Sequence, residues 1–334
     1  MKISSINLYT NNAVNNNRNN ISRILTKPLK MDTVSFSGMP AESSHIIKAK
    51  IEAEKIQKQS EEIKSNAVQY SNEAYEALSE TKQQFIEALD YINIAKKALA
   101  NKDVSLQLDN GNTLEVASMM IEGKLSPILI KVLDEHNEQK QSIKINRGIP
   151  THIEEYKDDG TIKFADFRGN SVLISDDISM EENTKIGSTY VFVDGKITTI
   201  RKDRGLDVIS NSMNDGESYF YDEKGNLFLS EMNTKMYLTG ERTIEDRYSF
   251  INGKLYHYFS NFSNTADNLA AWEESYHYDE YKFIGSTKNA KQAVKGKPTT
   301  AKEAIYMVDR KFVEAKNVDC SISDYRQAIF KETN

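Results

Sequence analysis

The sequence predicts an α+β protein: a long N-terminal helix or helical hairpin of coiled-coil type, an antiparallel β-meander, and a small C-terminal helical tail. Three observations carry this reading. Residues 41–101 contain neither Pro nor Gly, and apolar or small side chains recur there in steps of three and four. From residue 105 onward, aromatic and β-branched runs alternate with Gly-containing turns. After residue 285 a Lys-rich stretch leads into a helix-start signal.

Residues 1–40 are rich in Asn, Ser and Thr, and Lys2, Arg18, Arg23, Lys27 and Lys30 face a single acid, Asp32. Such a segment buries too little apolar surface to offset its ordering entropy, so a disordered tail is expected. The opening Met1-Lys2-Ile3-Ser4-Ser5-Ile6 and the closing Val34-Ser35-Phe36-Ser37-Gly38 resemble the N-termini of many proteins from low-GC gut bacteria. They also resemble the leaders of type III secreted effectors. The stretch Ile3-Ser4-Ser5-Ile6-Asn7-Leu8 is too polar and short for a signal-peptide core. The expected location is therefore a bacterial cytoplasm, or export without an ordinary signal peptide. No run of about 18 apolar residues suggests a transmembrane segment.

Ser43 or Ser44, after Pro40, offers a helix cap. From there Ile63, Ala67, Tyr70, Ala74, Ala77, Thr81, Phe85, Ala88, Ile92, Ala95 and Leu99 line one helical face over the segment 41–102. The seam is thin, with Ala and Thr where a strong zipper places Leu and Ile. It therefore needs a partner: a second copy through residues 44–100, a bend into a hairpin, or the sheet.

Residues 103–285 read as β-hairpins. Asp109-Asn110-Gly111-Asn112 is a hairpin turn between Leu106-Gln107-Leu108 and Thr113-Leu114-Glu115-Val116. Ile128 to Leu133 reads as a buried strand, with a short helix after Pro127 as the alternative. The glycines Gly160, Gly195, Gly225 and Gly253 each follow aromatics and precede an aliphatic, at spacings of 35, 30 and 28 residues. They are the expected turns of a meander of roughly ten strands, since hairpin links give antiparallel neighbours.

Tyr219-Phe220-Tyr221-Asp222-Glu223-Lys224-Gly225-Asn226-Leu227 resembles one unit of the YD (Rhs-type) repeat, and Asn252-Gly253-Lys254-Leu255 resembles MORN-like antitoxin repeats. Both families are stacks of hairpins used as shells, scaffolds or binding surfaces. The resemblance covers residues 150–285 and implies the sheet.

In residues 286–334, Lys288, Lys291, Lys295 and Lys297 form a linker. Thr300-Ala301-Lys302-Glu303 has the form of a capping box ahead of Ile305, Val308 and Phe312, and a second short helix is expected over 324–330.

Chemical motifs fail on inspection. Gly296-Lys297-Pro298-Thr299 lacks the first glycine and the hydroxyl of a phosphate loop. Asp158-Asp159-Gly160 places Lys157 where a calcium loop needs an oxygen ligand. His152-Ile153-Glu154 has no Pro-Cys-x-x-Cys after it. His257, His277 and Asp279 are the remaining combination for metal or acid–base work, and Cys320 has no activating histidine nearby in sequence. The net charge of −6, without a basic stripe, argues against nucleic acid.

No cofactor or metal is implied, and an enzyme is not favoured. Tyr219, Tyr221, Tyr248, Tyr256, Tyr258, Trp272, Tyr276 and Tyr278 concentrate in the later hairpins as a candidate binding face. The expectation is a non-enzymatic bacterial interaction or structural protein, in which a helical stalk carries a β-sheet platform for a protein partner. The alternative is an exported effector or enzyme whose site is assembled from unrelated loops.

Overall fold

The computed structural model describes residues 42–181, 184–207, 212–236, 242–264, 270–294, 297–308 and 310–316. The tail expected over residues 1–40 lies outside them.

A single uninterrupted helix, α1 (Ser44–Ala100), comes first. Ser43 has extended backbone, and its hydroxyl accepts from the Ile46 amide at 3.2 Å. That satisfies one of the amides a helix start leaves unpaired. No helical hairpin forms, because nothing in the segment breaks the 57-residue helix.

Seventeen strands follow. They are β1 (Ser105–Gln107), β2 (Thr113–Ile121), β3 (Lys124–Leu133), β4 (Gln139–Asn146), β5 (Ile149–Tyr156), β6 (Ile162–Arg168), β7 (Ser171–Glu181), β8 (Thr184–Val193) and β9 (Lys196–Asp207). The rest are β10 (Ser212–Tyr221), β11 (Leu227–Met236), β12 (Arg242–Ile251), β13 (Lys254–Asn264), β14 (Ala270–Asp279), β15 (Lys282–Val294), β16 (Lys297–Val308) and β17 (Lys311–Lys316). Each pairs antiparallel with its neighbours in the chain, from β1 with β2 to β16 with β17.

The helical tail is overturned. Thr300-Ala301-Lys302-Glu303 lies inside β16, and Phe312 inside β17. A capping box needs the chain to leave extended geometry after its first residue. Here the β15 ladder holds residues 297–306 extended instead. The sheet also does not close at Gly285, which sits within β15 opposite His277. The second expected helix, over 324–330, lies outside the described residues. The described residues are thus mostly antiparallel sheet, with one helix.

The turns follow from backbone sterics. Asp194-Gly195 and Asn252-Gly253 have φ of 51°, 73°, 51° and 74°, the two positive angles of a type I′ hairpin. Gly160 and Gly225 are also positive, at 81° and 83°. Gly195, Gly225 and Gly253 lie on one edge of the sheet, after β8, β10 and β12, whereas Gly160 follows β5 on the opposite edge. The glycine spacing therefore mixed the two edges.

On the Gly195 edge the hairpins repeat in detail. Register shifts fall at Lys144/Ile145, Val191/Phe192, Phe220/Tyr221, Ser249/Phe250 and His277/Tyr278, just before the turn. The following strand carries the extra residue of each bulge. Thr151 and Thr198 hold this place in two repeats, and donate to the carbonyls of Lys144 and Val191 at 3.2 and 3.1 Å.

The sheet is one layer with α1 laid across it. Cross-strand partners form an unbroken row on the helix side: Val116, Ile130, Ile143, Ile153, Ala165 and Ile174. It continues through Tyr190, Ile200, Tyr219, Ser230, Tyr248, Tyr258, Tyr276, Ser286 and Ile305. Against it the helix presents Ala53, Ser60, Ala67, Ala74, Thr81, Ala88 and Ala95, each at most 3 % exposed. These are seven positions at seven-residue intervals.

The spacing has a geometric cause. Seven helical residues rise about 10.5 Å, and two strands span about 9.6 Å. One heptad therefore matches one hairpin. Tyr278 on β14 donates its hydroxyl to the carbonyl of Ala53 at 2.9 Å, and Tyr221 on β10 donates to Ala67 at 3.0 Å. Two hairpins along, the contact has moved two heptads. Farther on, Tyr75 meets Phe192 of β8 edge-on at 5.6 Å and Phe85 meets Phe167 of β6 at 4.7 Å. The helix thus runs opposite to the strand order, from Phe312 of β17 beneath Lys50 to the aliphatic cluster of β2–β5 beneath Ile92 and Leu99. Small helix residues let large sheet residues approach, which is why the thin seam is sufficient.

Candidate functional site

The tyrosine face expected from sequence does not form an exposed stripe. Tyr219, Tyr221, Tyr248, Tyr276 and Tyr278 are buried, and Tyr258 is half-buried on the same, helix-covered side. Strand side chains alternate between faces, so aromatics at every second position all point one way. In β10, β12 and β14 that way is under α1. Tyr219 packs edge-on against Tyr70 at 5.5 Å, and Tyr248 donates to Gln59 at 3.3 Å. Burial pushes the Tyr248, Tyr258, Tyr276 and Tyr278 hydroxyls well above the usual phenol range. Tyr256 alone among the described tyrosines of this set is on the other face, beside His257. Trp272 pairs with Phe262 in the ladder, and its side chain lies outside what is described.

The helix seam is likewise occupied. The residues expected to recruit a second copy are covered by the chain's own sheet, along which α1 packs.

Among the described residues, no helix packs on the face away from α1. The residues of that face also form a continuous row, running through Leu173, Val191, Thr199, Phe220, Leu229 and Ser249 to His257, His277, Gly285 and Tyr306. Phe228, the extra residue of the β11 bulge, is 42 % exposed and packs near Phe220 with ring centres 6.5 Å apart. Arg247 pairs with Glu231 at 3.1 Å in the next row. The outer face therefore combines half-buried apolar residues with paired charges.

Two histidine groups sit on it. His257 and His277 stack across strands at 5.0 Å with their planes 24° apart. His277 is 1 % exposed, and the adjacent Gly285 places no side chain against it. Asp279 is exposed at the end of the same strand, so the sequence-level grouping shares one face. Farther along, His152 Nδ1 lies 2.8 Å from Asp166, its Nε2 lies 3.7 Å from Glu154, and its ring stacks on Phe164 at 5.8 Å. These contacts orient the ring between two carboxylates. Among the described residues no group of three or more His, Cys, Asp or Glu is placed to hold a metal ion. Cys320 lies outside them. Sequence reasoning missed Phe220, Phe228 and Leu229 as surface residues: alternation alone separates Phe228 from Leu229, and only the bulge at Phe228 brings both to the outer face.

Among the described residues no helix is long and apolar enough to cross a membrane. Against known proteins, no family model matches this chain and no curated protein matches it.

Proposed function

We propose that the chain is a non-enzymatic interaction or structural protein whose open sheet face is a platform for a protein partner. The supporting observation is the asymmetry of the sheet. One face is packed against α1 along its whole width, while the other keeps Phe228 exposed and Phe220 and Leu229 half-buried in a broad row. A single-layer sheet about 77 Å across offers a broad second face beyond the one the helix covers. Aromatic anchors amid paired charges are the composition of a binding surface.

The test is site-specific photo-crosslinking in native cell extract. A crosslinker at Phe228 should capture a discrete partner, and the same group at Val68 on the exposed side of α1 should not. Equal, diffuse labelling from both positions would remove the platform reading.

A further inference from the structure

A cleft of ≈ 580 Å³ opens between the first turns of α1 and strands β14–β17. Its floor is the end of the helix-side row: Tyr276, Ser286 and Ile305. Earlier along the sheet this row carries Tyr190, Tyr219, Tyr248 and Tyr258, which fill the space under the helix. At this end of the row, around Ser286, a cleft remains beneath the helix, whereas Ser230 in the same row is fully covered.

Two polar groups point to a ligand there. Ser286 and Tyr276 are each 8 % exposed, and both line the cleft. Neither hydroxyl bonds to a described residue, whereas Tyr221 and Tyr278 in the same fold each find a helix carbonyl. Burial, and after it the charges of Glu274 and Glu52, push the Tyr276 hydroxyl above the usual phenol range, and both carboxylates line the cleft.

The rim states the charge of the guest. Glu52, Glu274, Glu303 and Glu314 surround the cleft against Lys48 and Lys288. Lys288 is paired with Glu274, and Glu314 accepts from Ser43. Ala49 and Ile305 supply an apolar wall between these charges. Carboxylates around an apolar floor with two hydroxyl acceptors suit a cation carried on a hydrocarbon chain. We propose that this cleft binds a linear alkylammonium group, as borne by a free polyamine or by a lysine side chain. The site is separate from the open sheet face and does not depend on its role.

Calorimetric titration of the full chain at low salt tests this, with spermidine in one arm and an alternating Lys-Ala peptide in the other. Saturable one-site binding is expected. Affinity should fall about tenfold or more in the double variant Glu52→Gln, Glu303→Gln, since charge-assisted contacts are lost. Both positions are solvent-facing, so the double variant should fold normally, with the melting temperature as the check. Ser286→Phe, which fills the cleft, should abolish binding. Tighter binding of spermidine assigns a small-molecule ligand, and tighter binding of the peptide assigns a lysine side chain. If neither probe saturates, or if binding is unchanged in the double variant, the proposal is overturned.

Discussion

The Tyr221 hydroxyl lies 3.0 Å from the Ala67 carbonyl and 3.0 Å from the Ser71 hydroxyl, so one sheet side chain clasps a full turn of the helix. The Ser71 hydroxyl also lies 2.7 Å from the Ala67 carbonyl, so its single proton is shared between that carbonyl and the Tyr221 oxygen. The contact recurs, without the serine, between Tyr278 and Ala53. These bonds tie the helix backbone to the sheet at two points two heptads apart.

Tyr221→Phe and Tyr278→Phe should each cost about 1 kcal/mol, the net worth of a buried hydrogen bond. Ala67→Leu should cost more, roughly 1–3 kcal/mol, because the stripe has no room for three extra carbons. Urea unfolding of the three variants checks the order. A Tyr221→Phe protein more destabilised than Ala67→Leu would contradict it.

Thr81 and Ser230 are fully buried hydroxyls without a hydrogen-bond partner among the described residues. Thr81→Val and Ser230→Ala remove an unpaired polar group while keeping most of the volume. Each should raise stability by roughly 1 kcal/mol, read as a shift of the urea midpoint at unchanged slope. A loss of stability in both would show that the hydroxyls are satisfied.

The β14–β15 turn has Glu280 and Tyr281 at φ of 44° and 77°, the type I′ angles without a glycine. Left-handed backbone costs a residue with a Cβ about 1–2 kcal/mol. Against this, Lys64 and Lys254 lie 5.6 and 5.4 Å from the centre of the Tyr281 ring. Exposed cation–π contacts contribute about 0.5–1 kcal/mol each. Tyr281→Gly should therefore be close to neutral, whereas Gly253→Val, with no such compensation, should destabilise by at least about 1 kcal/mol. Equal losses in the two thermal melts would rule out this balance.

Lys202 is half-buried beneath the helix, 2.6 Å from Glu73, 3.3 Å from the Tyr190 hydroxyl and 4.4 Å from the centre of the Tyr70 ring. Burial pushes the Glu73 carboxyl up, but bonds from Lys202 and Gln69 outweigh it and leave it below its usual range. A carboxyl depressed by folding stabilises above its unfolded pKa of about 4.3, and that contribution is lost as pH falls through the lower folded value. Lys202→Met should thus flatten the loss of stability below about pH 4.3 while changing little of the slope near neutrality. The Lys202 ammonium is raised overall: burial lowers it, and the bonds to Glu73 and Tyr190 exceed that effect. Its own contribution is present below its unfolded value and is lost only at strongly alkaline pH. An unaltered acid limb in Lys202→Met would refute the pairing.

The match of heptad to hairpin gives a deletion test. Removing residues 61–67 shortens the helix by one heptad, and removing residues 221–249 shortens the sheet by one hairpin while keeping the bulge and turn of β12. Either deletion alone shifts the remaining contacts out of step. The two together should restore a cooperative melt. If the combined variant is no more stable than the worse single deletion, the helix and sheet are not commensurate.

The sequence by itself determined the helix, because sixty residues without Pro or Gly carry a periodicity that only a helix can bury. It also determined the turns at Gly195, Gly225 and Gly253, where the chain needs φ angles that side chains resist. What packs on what was decided by tertiary structure. A heptad of Ala53, Ser60, Ala67, Ala74, Thr81, Ala88 and Ala95 fits another helix or a ladder of hairpins equally well by period, since both present ridges about 10 Å apart. Only the register of Tyr221 and Tyr278 on the strands showed that the partner is the sheet. Strand parity turned the tyrosines inward and Phe220 outward, and the β11 bulge left Phe228 and Leu229 together on the outer face. The strands β15–β17 were hidden for a related reason. Thr300 to Glu303 has local preferences for a helix start, and the neighbouring ladder overrides preferences of a few tenths of a kcal/mol per residue. The cleft at Ser286 had no sequence signature, because its walls are assembled from separate strands and the first turns of the helix.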